Sequence, residues 1–307
     1  MNARIGSQKS MLRASEILAR EPPPEASIML DHITPVLLTY NEAPNIARTL
    51  SHLTWARDVI VVDSGSTDDT AAILARFSNV RVFSRPFDTF ANQWRYAVTD
   101  TGIATPWILR LDADYQLADE LVHELRQLDP DAPVSAYRIA FDYAVFSRRL
   151  RSSLYPANTI LLRRGRFKVW DNGHTESWAV EGPVKTLRAR VTHDDWKATD
   201  VWMSAQGRYM RRELEKLATR KSRLRDWLRL RPPLMPFAVF LYCLFGRGLI
   251  LNGRAGLFYA LQRMIAEAAL SLMVLEARLR TKVESTRTNE GDARSKLRPT
   301  GSQKRAS

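Results

Sequence analysis

Two carboxylates that share one strand end are the first candidates for chemistry in this chain. Asp112 and Asp114 follow the apolar run at residues 107–111 and are separated by one alanine. Side chains at positions i and i+2 of an extended segment point to the same side, which predicts that both carboxylates face one way. Carboxylate oxygens together with substrate phosphates are ligands that suit Mg²⁺ and Mn²⁺. An isolated Asp-x-Asp is also common in solvated loops, so the rest of the chain has to support a metal site.

Two further apolar runs also end in polar residues. Residues 33–39 lead into Tyr40 and Glu42, and residues 58–62 lead into Asp63 at the start of a Gly- and Ser-containing loop. Helical patterns separate these runs, and alternating strands and helices predict an α/β domain with a doubly wound sheet. The carboxyl ends of parallel strands lie at one edge of such a sheet, where ligands bind. The three polar loops are therefore predicted to converge.

Composition restricts the partners and the compartment. The 307 residues carry a net charge of +13 and a pI near 10.2, which favours a nucleic acid, a nucleotide or an anionic membrane surface as partner. The single cysteine, Cys243, excludes a disulfide framework and a cysteine zinc cluster and fits a reducing cytoplasm. Residues 1–20 are basic and mixed, without a continuous apolar stretch, so no signal peptide is expected.

The C-terminal third combines basic and apolar segments. Residues 211–231 form a dense basic run, and the apolar segment 236–246 after it is shorter than the roughly 20 residues of a spanning helix. A final predicted helix, 256–279, places apolar residues on one stripe. Such segments favour helices that lie in a membrane interface, and packing of the helices on the rest of the protein is the alternative. Because no nucleic-acid-binding motif accompanies the basic residues, nucleic acid is not expected as a partner.

These patterns predict four segments. They are a flexible N-terminal arm (residues 1–31), an α/β domain (32–218), a basic and amphipathic helical region that associates with membranes (219–282), and a disordered tail (283–307). Three consecutive prolines at 22–24 oppose regular structure in the arm, and the tail is polar and charged.

The ordered set of motifs resembles family-2 glycosyltransferases of the GT-A fold. The segments that carry the resemblance are 39–42, 62–68, 111–114, 173–176, 193–195 and 206–209, and the resemblance extends over residues 32–280. It is closest to membrane-associated bacterial members that build lipopolysaccharide or exopolysaccharide sugars. The resemblance implies a doubly wound mixed sheet with a C-terminal α-helical, membrane-associated extension.

The resemblance also implies a role for each motif residue. The residues expected to bind a nucleotide-sugar donor are Thr39, Tyr40, Glu42, Asp63, Ser66, Gln93 and Asp112. Asp114, together with Asp112, is expected to hold the divalent cation, Mn²⁺ or Mg²⁺, that bridges the donor diphosphate. Gln206 and Arg208 are expected to contact the acceptor or the diphosphate.

The resemblance also implies transfer with inversion, in which one carboxylate deprotonates the acceptor hydroxyl. Glu176 is the candidate, with His174 beside it in the same motif, and Asp171 and Asp195 are the alternatives. Structural roles stay open at this point, because Asp63 also suits a turn before a helix and His174 also suits a buried structural histidine.

The sequence thus predicts an inverting, metal-dependent hexosyltransferase that moves a sugar, with a UDP-sugar as the favoured donor, to a glycan or lipid-linked acceptor in cell-envelope synthesis. We expect it to be cytoplasmic and peripheral on the inner face of the plasma membrane. The alternatives are an Asp-x-Asp phosphatase-like hydrolase and a non-catalytic peripheral membrane-binding protein. The phosphatase is disfavoured because its acidic pair usually follows the first strand, whereas here the pair follows the fourth and precedes Tyr115.

Overall fold

The computed structural model describes residues 28–171, 176–219, 229 and 234–296. The predicted N-terminal arm up to residue 27, His174 and the end of the chain after residue 296 lie outside the described residues. The chain divides into two compact units. The first unit comprises Met1–Ala140, Ala157–Trp170 and Glu176–Val191, and the second comprises Phe141–Pro156, Asp171–Thr175 and Thr192–Ser307. This division differs from the sequence-based one, because part of the predicted α/β domain belongs with the C-terminal helices.

Four parallel strands form one half of the main sheet of the first unit. They are β1 (Ile33–Thr39), β2 (Val59–Asp63), β3 (Val80–Ser84) and β4 (Trp107–Asp112), arranged in the order β3-β2-β1-β4. Strands β1, β2 and β4 are buried along almost their whole length, which explains their near-continuous apolar sequences. In the register, Thr39 lies beside Asp63 and Leu38 beside Asp112, so the polar ends of these strands share one edge.

Helices connect the parallel strands as predicted. They are α1 (Ile46–Ser51), α2 (Thr70–Leu74), α3 (Phe90–Thr99) and, after β4, α4 (Asp119–Arg126). The Thr89 hydroxyl caps α3 by accepting a hydrogen bond from the Asn92 amide at 3.1 Å. Trp94 and Ala97 of this helix pack on side chains of β1, β2 and β4 such as Val36. This packing fixes α3 against the sheet beneath the polar loops.

The remaining strands make the sheet mixed. They are β5 (Tyr115–Leu117), β6 (Ala136–Val145), β7 (Arg148–Arg149), β8 (Asn158–Arg163), β9 (Phe167–Asp171), β10 (Glu176–Val180) and β11 (Val184–His193). Strand β8 pairs antiparallel with both β4 and β6, and the main sheet continues in the order β4-β8-β6-β11-β5. Strands β9 and β10 form a separate two-stranded sheet. The expected mixed α/β sheet is confirmed, but β10 and β11 occupy segments in which no strand was predicted.

Helices dominate the second unit. They are α5 (Thr199–Thr219), α6 (Leu234–Leu241), a π-helical turn (Tyr242–Gly246), a 3₁₀ turn (Leu249–Asn252) and α7 (Gly253–Lys296). Helix α7 packs against α5 and α6. It continues through residues 283–296, which the sequence assigned to a disordered tail. Once a helix is nucleated by its packed part, each added residue gains a hydrogen bond, and no proline interrupts the chain before Pro299.

One helical stretch among the described residues is long and apolar enough to cross a membrane. Leu249–Thr281 has a mean hydropathy of 1.3 in its most apolar window, and 39% of that window is buried inside the protein. A core helix of a soluble protein meets the same criteria. The stretch therefore has one face that packs on the protein and another that does not.

Candidate active site

The carboxylate of Asp63 organises the loop after β2. Its Oδ2 accepts hydrogen bonds from the amides of Gly65 at 3.0 Å and Ser66 at 2.8 Å, and its Oδ1 accepts from the hydroxyls of Thr39, at 2.9 Å, and Ser66. A carboxylate offers about four acceptor positions, so protein donors fill those of Asp63. Gly65 takes a φ of +86°, which lets the chain turn tightly around the carboxylate. Asp63 therefore shapes this loop.

Hydrogen bonds join the loop after β1 to the loop after β2. The Asn41 amide donates to Ser66 Oγ at 2.9 Å, and the Glu42 amide donates to Thr70 Oγ1 at 2.8 Å. The Ala43 amide donates to Asp68 Oδ2 at 3.1 Å. Burial alone would raise the pKa of Asp68, but hydrogen bonds from Thr70 and Ala43 outweigh it and hold the pKa below its ordinary value. The two loops therefore form one cross-linked polar surface.

Tyr40 and Glu42 lie on this surface in different environments. The Tyr40 side chain is exposed, whereas Glu42 is partly buried and its Oε2 accepts a hydrogen bond from Asn45 Nδ2 at 3.0 Å. An exposed aromatic ring at the carboxyl edge of a sheet can stack on a planar ligand.

Gln93 and Thr39 lie beneath the loops. Gln93 on α3 is fully buried, donates to Ser64 Oγ at 2.9 Å and to the Arg85 carbonyl at 3.0 Å, and accepts from Arg85 Nη1 at 2.8 Å. Thr39 is also buried and donates to Asp63. Because protein groups use their polar atoms in this structure, both residues support the surface from behind, and the donor contacts expected of them stay a prediction.

Asp112 and Asp114 flank Ala113, whose backbone is held by a hydrogen bond. Strand β4 ends at Asp112, and Ala113 and Asp114 form a turn into β5, so the strand alternation assumed from sequence stops at Asp112. Ala113 is buried, and its carbonyl accepts a hydrogen bond from Thr49 Oγ1 at 2.6 Å. Asp112 is exposed and Asp114 is partly buried. The turn thus fixes the backbone of both carboxylates at the same edge as the polar loops.

The turn at residues 112–114 offers two carboxylates as possible metal ligands. Within the part of the chain that the structure describes, no group of three or more His, Cys, Asp or Glu side chains could hold a metal ion. Two carboxylates are nevertheless the set that Mg²⁺ uses when substrate phosphates and water complete its coordination. Asp112 and Asp114 therefore fit a metal that binds together with a phosphorylated ligand.

Arg110 links Glu176 to β4, and sequence reasoning missed it. The guanidinium of this buried arginine lies 4.8 Å from the ring centre of Trp178 and 5.6 Å from that of Trp94. Its Nη1 is 3.5 Å from Glu176 Oε1. Arg110 and Asp112 lie two residues apart and share one face of the strand, so the ion pair with Glu176 lies on the face of β4 from which Asp112 projects. The available signal was a single charge inside an apolar strand, because a buried charge needs a partner.

The other predicted residues lie in the second unit. Gln206 on α5 is buried and donates to the carbonyl of Trp202 at 3.3 Å, whereas Arg208 is exposed. Asp195 accepts a hydrogen bond from the Lys197 amide at 2.9 Å in the turn before the helix. The side chain of Asp171, the other alternative base, lies outside the described residues, as does His174.

The parallel half-sheet, its antiparallel continuation and the polar loops at one edge define a GT-A-like α/β domain. Residues 35–185, which are 151 of the 307 residues, match the model of glycosyl transferase family 2.

Three known proteins illustrate the similarity. An uncharacterised glycosyltransferase of Rickettsia felis is 36% identical over 100 residues, which are 32% of this chain and 34% of the relative. The lipopolysaccharide core biosynthesis glycosyltransferase LpsC of Rhizobium meliloti is 26% identical over 170 residues, 50% of this chain and 58% of the relative. The Rickettsia matches thus span about a third of those relatives. The crystal structure of S. aureus TarS 1-349 with UDP-GlcNAc has a TM-score of 0.42 and 15% identity, covering 86% of this chain and 92% of TarS 1-349.

Proposed function

We propose that the protein is an inverting glycosyltransferase that moves a sugar from a nucleoside diphosphate, with UDP as the favoured carrier, to an acceptor hydroxyl. The observation that carries this proposal is the convergence of the loops after β1, β2 and β4 at one sheet edge within the family domain. Open α/β sheets bind their ligands at this edge. The relative named for lipopolysaccharide core biosynthesis supports a glycan or lipid-linked acceptor of the cell envelope.

The donor lies across the cross-linked loops in this proposal. The exposed Tyr40 ring offers a stacking surface for the base, and Asp63 and Ser66 shape the neighbouring loop. Asp112, at the end of β4, faces the ribose and the diphosphate. Because hydrogen bonds within the protein already hold these loops, donor binding requires little ordering of the chain.

The acidic turn is proposed to hold Mg²⁺ or Mn²⁺ through Asp114 and Asp112. When bound there, the cation would supply positive charge that stabilises the nucleoside diphosphate as leaving group. The protein contributes the fixed turn, in which Thr49 binds the Ala113 carbonyl and keeps both carboxylates at the sheet edge.

Glu176 is proposed as the general base. Its carboxylate takes the proton of the acceptor hydroxyl while that oxygen attacks the anomeric carbon of the donor sugar. The new glycosidic bond forms on the face opposite to the breaking bond, and the electron pair of the breaking bond leaves with the nucleoside diphosphate. Arg110 serves as a positioning residue, because it holds Glu176 and is itself fixed between Trp94 and Trp178.

The second unit is proposed to attach the protein to the inner face of the plasma membrane. Large apolar side chains are exposed on α6, on the turns after it and on α7: Leu234, Phe237, Phe245, Leu251 and Leu272. Exposed apolar surfaces of this kind mark sites of contact with membranes or other proteins. The chain also carries a net charge of +13, which favours an anionic membrane surface.

The decisive experiment is a hydrolysis screen of UDP- and GDP-sugars with Mn²⁺ or Mg²⁺, in which release of the nucleoside diphosphate is measured. Asp114→Asn is expected to lower turnover of the preferred donor by a factor of about 100 or more, because several kcal/mol of charge stabilisation are lost. Asp131→Asn, which changes an exposed carboxylate in a distant turn of the first unit, is the matched control. Equal turnover by parent and Asp114→Asn, or none with any nucleotide sugar, would contradict the proposal.

A further inference from the structure

The second unit contains a cavity that the proposed transfer reaction does not use. Its volume is about 490 Å³. Two arginines, two phenylalanines and two small apolar residues line it: Val145, Phe146, Arg148, Arg254, Ala255 and Phe258. The cavity therefore combines positive charge with an aromatic wall.

One wall of the cavity is a hairpin with an unusual turn. Val145 pairs with Arg148, and the two residues between them, Phe146 and Ser147, have φ angles of +48° and +64°. Two-residue turns with both φ angles positive normally use Asn or Gly, because a bulky side chain is disfavoured there. A phenylalanine persists in such a conformation only where its surroundings hold it.

Asp194 supplies that support. It is 1% exposed, and its Oδ2 accepts hydrogen bonds from the Ser147 amide at 3.0 Å and from Trp196 Nε1 at 2.8 Å. The Phe146 ring lies 6.4 Å from the Trp196 ring and 5.9 Å from the Phe258 ring, yet remains 50% exposed. Asp194 thus holds the strained hairpin tip, which presents the Phe146 ring to the cavity and to solvent.

The charge of the cavity comes from Arg148 on β7 and Arg254 in the first turn of α7. Both arginines are exposed, and neither forms an ion pair with any carboxylate among the described residues. Two guanidinium groups at one cavity match the geometry and charge of a phosphate group.

Apolar side chains continue from the cavity along the same elements. Ile250 and Leu251 are exposed directly before α7, and Leu257 and Leu261 are exposed on its first turns. A free anion needs no such surroundings, whereas a phospholipid has an apolar part that would cover them. Basic residues at the edge of an exposed apolar helix are also the arrangement expected at the surface of an anionic bilayer.

We propose that this cavity binds the phosphate headgroup of an anionic bilayer phospholipid. The phosphate lies between Arg148 and Arg254, and the glycerol and upper acyl chain pack on Phe146 and Phe258. The site extends the membrane attachment proposed above from a general apolar contact to a specific headgroup site, and it does not depend on the transfer reaction.

The test compares binding of the full chain to vesicles of phosphatidylcholine alone and of phosphatidylcholine mixed with phosphatidylglycerol. The double variant Arg148→Gln/Arg254→Gln is expected to bind the mixed vesicles about thirtyfold more weakly, from the loss of two basic contacts near the surface. Arg76→Gln/Arg126→Gln removes the same charge from exposed positions of the first unit and is expected to change binding by less than about threefold. Equal losses by the two double variants would overturn the site, because only net charge would then matter.

A second arm separates a lipid from a free anion. Soluble short-chain phosphatidylglycerol is expected to release the parent protein from mixed vesicles, whereas inorganic phosphate at the same concentration is not. Equal release by both would overturn the lipid assignment. Phe146→Asn relieves the turn and so keeps the fold, and it is expected to weaken binding about tenfold through loss of the aromatic contact. Unchanged binding by this variant would contradict the aromatic wall. Donor hydrolysis, measured without vesicles, reports on the proposed transfer reaction separately.

Discussion

Glu176 forms an ion pair with Arg110, which lies two residues before Asp112 on β4. If it removes the acceptor proton, Glu176→Gln should lower kcat by about 10²- to 10⁴-fold and leave the donor KM within about threefold, because a base acts in the transition state. The measurement is steady-state kinetics with the preferred nucleotide sugar, with water or a glycan as acceptor. Glu181→Gln, which loses only an exposed ion pair with Lys168, should behave like the parent. An unchanged kcat in Glu176→Gln would move the base to another carboxylate, of which Asp195 is next.

Asp68 connects the two polar loops in a way that depends on pH. Its pKa is held below the ordinary 3.8, so its stabilising contribution is complete above that value and is lost as the pH falls through the lowered pKa of the folded state. Asp68→Asn should therefore flatten the acid limb of a plot of Tm against pH, and Asp131→Asn should not. The same acid limb in parent and Asp68→Asn would argue that other carboxylates carry the acid sensitivity.

The residues of the candidate site differ in how well the sequence alone predicts their positions. The position of Asp63, Asp112 and Asp114 at one sheet edge could be predicted, because these carboxylates follow apolar runs within three residues, and their roles stay a prediction. The supporting position of Gln93 could not be predicted, because the sequence of an amphipathic helix does not show whether an amide faces a ligand or a protein group such as Ser64. The ion-pair partner of Arg110 could not be predicted either, because Glu176 lies more than sixty residues later in the chain.

At the scale of elements, the parallel strands were the most predictable part of the fold. Strand β1 begins and ends where the sequence predicts, and β2 and β4 lie within one residue, since burial on both faces demands an uninterrupted apolar run. Strand β11 was missed because Lys, Arg and Thr alternate with apolar residues in it, and half of its residues are exposed. Pairing with distant strands, which single-sequence patterns do not encode, stabilises it.

Helices α5 and α7 share a buried charge network that can be tested. Arg229 Nη2 lies 2.6 Å from Glu267 Oε1, and its Nη1 lies 2.6 Å from Glu213 Oε1. Burial alone would lower the pKa of Arg229, but the two carboxylates outweigh it and raise the pKa, so the guanidinium stays charged. Glu267→Gln should reduce the free energy of unfolding by about 3 kcal/mol in urea denaturation, because it leaves a buried charge less compensated.

The matched control for this network is Glu276→Gln. Glu276 pairs with Arg280 on the exposed face of α7, and an exposed pair of this spacing contributes about 0.3–0.5 kcal/mol. A similar small loss in both variants would show that the Arg229 network does not hold α7 to its neighbours.

At the scale of the whole molecule, the net positive charge and the exposed apolar side chains favour the same kind of partner surface. The chain carries 46 basic and 33 acidic residues, and its largest exposed apolar side chains cluster on α6, α7 and the turns between them. A basic protein with an exposed apolar face is suited to a surface that is both anionic and apolar, which describes a bilayer better than a nucleic acid. If the protein is held there as proposed, it would meet a lipid-linked acceptor by diffusion in two dimensions.

The apolar contribution to attachment can be separated from charge with neutral vesicles. Phe237 and Phe245, on α6 and the turn after it, are each 64% exposed, and burying a phenylalanine is worth about 1.5–3 kcal/mol. Phe237→Ser/Phe245→Ser should therefore weaken binding to phosphatidylcholine vesicles by about 100-fold in a co-sedimentation assay, with donor hydrolysis unchanged. Phe87→Ser, at a half-exposed position of the first unit, should bind as the parent does. If the double variant binds vesicles normally but loses self-association in size-exclusion chromatography, this face contacts a second copy of the chain and the membrane contact lies elsewhere.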